Sequence, residues 1–240
     1  MAMRAEAGPV IEALAATPCE RSPDDPLPSR WYVATRSGVD VVLALNGVDP
    51  EHGVDAIATQ PAALTTYATC RRWPVDLVIT AGVAGGWSSC GAAVGDVYVS
   101  RDRFVYHDRR IGLPGFEAFG VGSFPAVDAS RLSTTLGFRQ GIVTTSNSLD
   151  ETDEDRRMIA ATGACVKDME AAAVADVARL FGRPVMAVKA ITDLVDSHVA
   201  TDEQFLANLE LATARLRDAV LAVIDWCAPR NVSELGGVQR

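Results

Sequence analysis

The chain has 240 residues and a formal net charge of -9, and no dense cluster of Lys and Arg interrupts it. This acidic balance excludes the usual basic surfaces for nucleic acid or anionic membrane and favours a small-molecule ligand. No apolar run approaches the ~18 residues of a membrane span, and the five cysteines lie singly, as reduced thiols do. We therefore expect a cytoplasmic protein without a bound metal.

The first half of the chain alternates strand and helix patterns. WYVAT and VDVVLAL flank Arg36, Ser37 and Gly38, which predicts two paired strands and a tight turn. A helix is predicted from about 54 to 72, ended by Pro74. The next stretch, VDLVITAGVAGG, is typical of a buried strand that ends in a turn of small residues, and GDVYVSRDRFVYHD predicts either two strands or one long bent strand.

The second half continues the alternation and gives the fold class. GIVTTSNSLD and VMAVKAITD predict strands, and MEAAAVADVARLF predicts a helix. A closing helix opens with Thr201 and Gln204 at capping-box spacing, and the acidic run 150–157 is typical of a solvated loop feeding a helix. Strands interleaved with helices predict one α/β domain over residues 1–240, with a mixed, largely parallel sheet between helical layers.

Three acids lie at predicted junctions between strands and helices. Glu170 precedes Val174 by one helical turn, so its carboxylate is predicted to point with the buried face. Asp193 ends a buried strand, at the edge where open α/β sheets bind ligands. Glu6 lies before Pro9, which we interpret as a helix start. Each acid also has an ordinary structural interpretation, as a first-turn, turn or surface residue, so position alone leaves a site open.

The common cofactor and nucleophile motifs are absent from the sequence. Gly82, Gly85 and Gly86 do not have the spacing of G-x-G-x-x-G, and no G-K-[ST] or G-x-S-x-G occurs. The glycine-rich AGVAGG permits close approach of a ligand to the backbone, and it is equally compatible with a plain tight turn. We therefore expect no cofactor.

Stretches over nearly the whole chain resemble the plant-type 5'-methylthioadenosine/S-adenosylhomocysteine nucleosidases of the nucleoside phosphorylase superfamily. They are AMRAEAGP, DLVITAGVAGG, GDVYVS, VYHDRRI, SNSLD, KDMEAAAVADV and VKAITDLVD, in family order. The last two, at this separation, are the most specific. The resemblance implies a three-layer α/β/α fold and hydrolysis of 5'-methylthioadenosine to adenine in methionine and purine salvage, with S-adenosylhomocysteine as a further candidate substrate.

The resemblance also implies roles for individual residues. Asp193 would protonate adenine at N7, Glu6 would activate the attacking water, and Glu170 would hold the ribose hydroxyls. Because Glu6 puts an anion where a phosphorylase needs phosphate donors, we expect hydrolysis instead of phosphorolysis. The other implied substrate contacts are Met169 at the ribose, Ser148 and Leu149 at adenine, Val83, Ala84 and Gly85 at the pocket wall, and Phe116 and Phe119, whose segment reaches a neighbouring subunit's alkylthio pocket and so implies a homodimer.

The chain departs from the family pattern in three places. An apolar strand before Met3 is missing, which we interpret as a start assigned too far downstream; a shortened protein would leave a sheet edge exposed and Glu6 poorly held. Val83 replaces a Ser or Thr, for which Thr192 is expected to compensate in part, and Asn147 puts the base preference in doubt. The alternatives are a sister hydrolase or phosphorylase, of futalosine type or for another purine nucleoside, and a non-catalytic nucleoside-binding relative.

Overall fold

The computed structural model describes residues 1–21 and 25–235, where the chain forms nine strands and seven α-helices. The strands are β1 (Thr17–Pro18), β2 (Arg30–Arg36), β3 (Val39–Leu45), β4 (Val78–Gly86), β5 (Val97–Tyr106), β6 (Phe124–Pro125), β7 (Arg139–Thr145), β8 (Ala164–Asp168) and β9 (Val185–Leu194). The helices are α1 (Arg4–Ala13), α2 (Thr59–Arg72), α3 (Glu117–Val121), α4 (Ser130–Leu136), α5 (Asp153–Thr162), α6 (Ala171–Leu180) and α7 (Thr201–Cys227). Residues 22–24 and 236–240 of the predicted domain lie outside the described residues. No helix in the described ranges is long and apolar enough to cross a bilayer.

Strands β2 and β3 form the predicted hairpin. They pair antiparallel with Arg36 opposite Val39. The two residues between them, Ser37 and Gly38, have φ of 51° and 82°, which is the left-handed backbone that the tightest hairpin turn requires. Strand β1 adds to the other edge of β2 and completes a small three-stranded sheet.

The main sheet confirms the α/β class, but it closes on itself. Its strand order is β6-β5-β7-β8-β4-β9, and β9 also pairs with β5. The predicted mixed sheet flanked by helices is confirmed, and the structure adds that its strands form a barrel-like ring. Strand β5 makes the closure possible because it is one long strand, bulged between Ser100 and Phe104 around Asp102, whose φ is 59°. The first residues of β5 pair with β7 along one edge and with β9 along the other.

Both faces of β9 are buried, as expected for a strand covered by helices on two sides. Met186 and Val188 pack into the core under α1, α4 and α7. Ala187 and Ile191, on alternate positions, pack into the core under α6. The alanines of α6 belong to this second core, and their small side chains suit close helix–sheet packing.

Two predicted helix starts are wrong. The helix expected from residue 54 begins only at Thr59, because the preceding backbone bonds elsewhere: the N–H of Ala56 donates to the carbonyl of Gly47 (2.9 Å). Pro9 lies inside α1, which begins at Arg4.

Gln204 forms no capping box with Thr201, which is already helical. Its side chain instead bonds the backbone of Leu194, accepting from the N–H at 3.0 Å, and donates to the carbonyl of Val199 at 2.9 Å. Gln204 thereby ties α7 to the end of β9.

The acidic run 150–157 is only partly the solvated loop that its composition predicts. Glu151 forms a buried ion pair with Lys167 (2.6 Å), and its side chain is 6% exposed. Asp155 is buried and pairs with Arg110. Both acids hold the segment before and within α5 against the barrel.

A cavity of about 570 Å³ lies between the small sheet and the main sheet. Residues of β3, β4, α2 and α7 line it, and Lys189 and Glu170 lie on its wall. Strands β3 and β4 do not pair with each other in the described residues.

Candidate active site

A pocket of about 220 Å³ lies at one end of the barrel, where β4, β8 and β9 meet α1 and α7. The structure brings most of the predicted site residues to its wall. They are Glu6, Val83, Ala84, Gly85, Ser148, Leu149, Met169, Glu170 and Asp193. Residues scattered over most of the sequence thus form one cleft.

Glu6 is firmly held in the first turn of α1. Its Oε2 accepts from the N–H of Met3 (2.9 Å) and its Oε1 from the N–H of Val83 (2.8 Å). Only 3% of the residue is exposed. Backbone donors from two separate parts of the chain thus fix the carboxylate of Glu6.

Asp193 lies near the end of β9 and is 3% exposed. The hydroxyl of Thr192 donates to its Oδ1 (2.7 Å), which supplies the hydroxyl that Val83 lacks. Burial raises the pKa of Asp193, and this effect outweighs the hydrogen bond from Thr192. The side chain is therefore favoured as an acid that can donate a proton.

The glycines of AGVAGG make room for these two carboxylates. A Cβ on Gly82 would lie 2.8 Å from Oε1 of Glu6, and one on Gly85 would lie 2.7 Å from Oδ2 of Asp193. The segment is not the predicted turn, because β4 continues through Gly86 with a bulge after Ala84. The glycines allow close approach to the backbone, as the sequence indicated, and the groups that approach it are the carboxylates of Glu6 and Asp193.

Glu170 lies between β8 and α6 and accepts from the N–H of Ala58 (2.9 Å). It is the N-cap residue of α6 and points inward from there, so helical periodicity is not the reason for its direction. Burial, and then the charge of Asp168, raise the pKa of Glu170 to about 7. Its donor Ala58 has φ of 76°, a conformation that L-residues adopt only at a cost.

Hydrogen bonds from Lys167 and through Asn147 hold the loop that carries Ser148 and Leu149. Lys167 donates to the carbonyl of Leu149 (2.6 Å). Asn147 accepts from the hydroxyl of Thr59 (2.5 Å) and donates to Asp108 (3.1 Å). Its side chain fixes the loop and does not line the pocket, so its amide is not placed to select the base directly.

Phe116 and Phe119 are the predicted contacts that the single chain does not bring to the pocket. They are 48% and 63% exposed, and their rings pack edge to face with centroids 6.3 Å apart. Neither lines the cleft.

Sequence reasoning also missed several wall residues. Phe205 looked like one more apolar position of the last helix, and Met3 like part of the chain start. Lys167 had a usable signal, since a cation inside an otherwise buried strand needs a partner. The missed wall residues are Ala2, Met3, Ile57, Lys167, Asp168, Thr201 and Phe205.

Comparison with known proteins identifies the family. Residues 1–225 match the Phosphorylase superfamily. A 5'-methylthioadenosine nucleosidase of Arabidopsis thaliana is 39% identical over 236 residues, covering 98% of this chain and 88% of that protein. The chain belongs to the 5'-methylthioadenosine/S-adenosylhomocysteine nucleosidase family.

Other members of this nucleosidase family give the same picture. A second Arabidopsis thaliana protein, a 5'-methylthioadenosine/S-adenosylhomocysteine nucleosidase, is 36% identical over 98% of this chain and 92% of its own length. The solved apo structure of an Arabidopsis thaliana 5'-methylthioadenosine nucleosidase superposes with a TM-score of 0.94 at 38% identity, covering 97% of this chain and 96% of that one.

Proposed function

We propose that this protein hydrolyses the N-glycosidic bond of 5'-methylthioadenosine, releasing adenine and 5-methylthioribose. One observation carries the proposal: Glu6, Glu170 and Asp193 converge on one pocket. Paired acid–base groups and a carboxylate near the sugar are what cleavage of a glycosidic bond needs. Family membership supports the same reaction.

Asp193 acts as the general acid. As the bond from C1' to N9 breaks, its electron pair passes into the adenine ring, and N7 takes the proton of Asp193. The leaving group then departs as a neutral base. The raised pKa of Asp193 suits this role, because the carboxyl must still hold its proton near neutral pH.

Glu6 and Glu170 act on the sugar side. Water attacks C1', and its proton passes to Glu6, which two backbone N–H groups hold in place. Glu170 accepts hydrogen bonds from the ribose hydroxyls, and its negative charge stabilises the positive charge that develops on the ring. Met169 packs beside the ribose, and Met3, Ile57 and Phe205 add apolar surface suited to a methylthio group.

The carboxylate of Glu6, next to the place of the attacking nucleophile, favours water over phosphate as that nucleophile. Glu6 would repel a phosphate anion at the site where a phosphorylase must bind one. The test is incubation with 5'-methylthioadenosine in phosphate-free buffer, with adenine measured by chromatography. The proposal expects adenine release without phosphate and little release by Glu6→Gln. Strict dependence on phosphate would overturn it.

Substrate range is tested in the same assay. One Arabidopsis thaliana relative is named a 5'-methylthioadenosine nucleosidase and the other a 5'-methylthioadenosine/S-adenosylhomocysteine nucleosidase. We expect the highest kcat/KM for methylthioadenosine when it is compared with S-adenosylhomocysteine, adenosine and futalosine. A preference for futalosine would instead place the protein with the sister hydrolases.

The proposed enzyme is a homodimer. Leu113, Phe116 and Phe119 form an exposed apolar patch on the segment after β5, and an exposed aromatic pair suits a subunit contact. Light scattering after gel filtration is expected to give twice the chain mass of 25.4 kDa. Replacing both phenylalanines by Ser is expected to lower this mass and to weaken substrate binding. A wild-type mass of one chain would contradict the dimer.

A further inference from the structure

A buried ion pair acts electrostatically on Glu170, the residue proposed to hold the ribose. The ammonium of Lys189, on β9, contacts Oδ2 of Asp168, at the end of β8, at 2.7 Å. Their side chains are 2% and 0% exposed. Burying two charges is costly, and the proposed reaction assigns neither of them a role. The pair therefore calls for an explanation.

Asp168 fixes the junction that carries Met169 and Glu170. Its Oδ1 accepts from the hydroxyl of Thr145 (2.6 Å), and its Oδ2 accepts from the N–H of Ala171 (2.9 Å). The same Thr145 hydroxyl accepts from the N–H of Ala172 (2.9 Å). Two of the free N–H groups of the first turn of α6 are thus satisfied from β7 and β8. Glu170 is one residue upstream, so its backbone is set by this network.

The charges around Glu170 come from every element packed against it. Asp168 and Glu6 raise its pKa, and Lys189 lowers it. The amino group of Met1 also interacts with it. Burial alone would lower the pKa of Lys189, but Asp168 and Glu170 outweigh burial and raise it, so Lys189 remains an ammonium.

We propose that Asp168 and Lys189 are positioning residues of the nucleosidase. The pair orients Glu170, and its two opposite charges together determine how far Glu170 is ionised when it binds the ribose. Removing Lys189 alone favours the neutral acid, which cannot accept the ribose hydrogen bonds with full charge. Removing the charge of Asp168 alone favours the carboxylate. This inference rests on the proposed function, because it assigns the pair to the same site.

The test is the pH dependence of the ratio of variant to wild-type kcat/KM for methylthioadenosine, from about pH 5 to about pH 9. Charged neighbours of Asp193 are Lys167 and Glu151, so its ionisation is common to all these proteins and cancels in the ratio. For Lys189→Met the ratio is expected to rise with pH, by about tenfold for a change of one pKa unit in Glu170. For Asp168→Asn it is expected to fall with pH.

Two further variants serve as matched controls. Asp168→Asn combined with Lys189→Met removes one charge of each sign, so its ratio should be flat with pH, whatever its absolute level. Lys189→Arg keeps the charge, and the adjoining cavity offers space for the larger side chain, so its ratio should also be flat. Ratios that are flat for both single variants would mean a merely structural pair and would overturn the inference.

A measurement on the wild-type protein covers the case in which a single variant does not fold. The carboxyl carbons of glutamate, labelled with carbon-13, are titrated by NMR, and Glu170→Gln identifies the signal of Glu170. Titration near pH 7 is expected, and titration near the ordinary value of 4.5 would overturn the inference. The signal is independent of turnover, so an inactive protein with a normal titration would refute the proposed function and leave the electrostatic arrangement in place.

Discussion

Asp193 and Glu6 are each held by hydrogen bonds from other groups. One donor to Glu6 is far away in the sequence, and the donor to Asp193 is its neighbour. The donor to Glu6 from Val83 is 77 positions away, whereas the hydroxyl that steadies Asp193 belongs to its neighbour Thr192. Sequence position identified both acids as unusual, because each ends or begins an element. It could not give Val83 as a donor to Glu6, since long-range hydrogen bonds leave no local pattern. Thr192 could be anticipated because it adjoins the acid.

Removing the carboxyl of Asp193 tests the general acid. Asp193→Asn keeps the shape and the hydrogen bond from Thr192 but cannot deliver the proton to N7. We expect kcat to fall by at least ~10²-fold, with unchanged circular dichroism and melting temperature. Asp202→Asn, an exposed acid at the start of α7, is the control and should retain activity. Near-normal turnover by Asp193→Asn would exclude this role.

At the scale of elements, strands were predicted more accurately than helix starts. The β2–β3 hairpin and the buried β9 have periodicity and turn residues that determine them locally. Helix α2 was misplaced because the N–H of Ala56 donates to the distant carbonyl of Gly47, so the residues before Thr59 are not helical. Helix α1 was misplaced because Pro9 was interpreted as its start, whereas the N–H of Met3 donates to Glu6 and the helix begins at Arg4. The contact of Ala56 with Gly47 leaves no local signal in the sequence, and helix boundaries are the least certain part of a sequence-based prediction.

Strand β4 supplies a prediction of its own. Ala at Gly82 or Gly85 would push against Glu6 or Asp193, and a displacement of about 1 Å at reacting groups can cost on the order of 10²-fold in rate. We expect both substitutions to lower kcat strongly while the protein remains folded. The matched control is Gly8→Ala in α1, where nothing lies within 4 Å. It should raise the free energy of unfolding by about 0.5–1 kcal/mol and leave kcat unchanged. Equal activity of all three variants would contradict the proposed role of the two glycines.

For the whole molecule, the class of the fold was predictable and the closure of its sheet was not. Alternating strands and helices indicate α/β architecture whatever the strand order. The pairing of β9 with both β4 and β5 is a long-range contact, and the sequence of β5 shows only a strand-like stretch that contains the polar Asp102. The pocket lies where β8, β4 and β9, which are neighbours in the sheet, meet α1 and α7.

The raised pKa of Glu170 also affects the stability of the ligand-free protein. Its pKa is raised from 4.5 to about 7, so the folded protein keeps a proton that the unfolded chain loses over this interval. The free energy of unfolding should therefore fall as pH rises from about 4.5 to about 7, by up to about 3 kcal/mol at about 1.4 kcal/mol per pKa unit. Urea unfolding at several pH values checks this. Glu170→Gln should show a clearly smaller slope, and identical slopes would contradict the prediction.

The most direct test of the central claim is the fate of the water oxygen. Methylthioadenosine is incubated with the protein in oxygen-18 water without phosphate, and the sugar product is examined by mass spectrometry. Hydrolysis with Glu6 as base predicts equimolar adenine and 5-methylthioribose, with one oxygen-18 atom at C1; back-labelling of unlabelled 5-methylthioribose is subtracted as a control. Absence of adenine, or its appearance only with phosphate and together with a sugar 1-phosphate, would contradict the account.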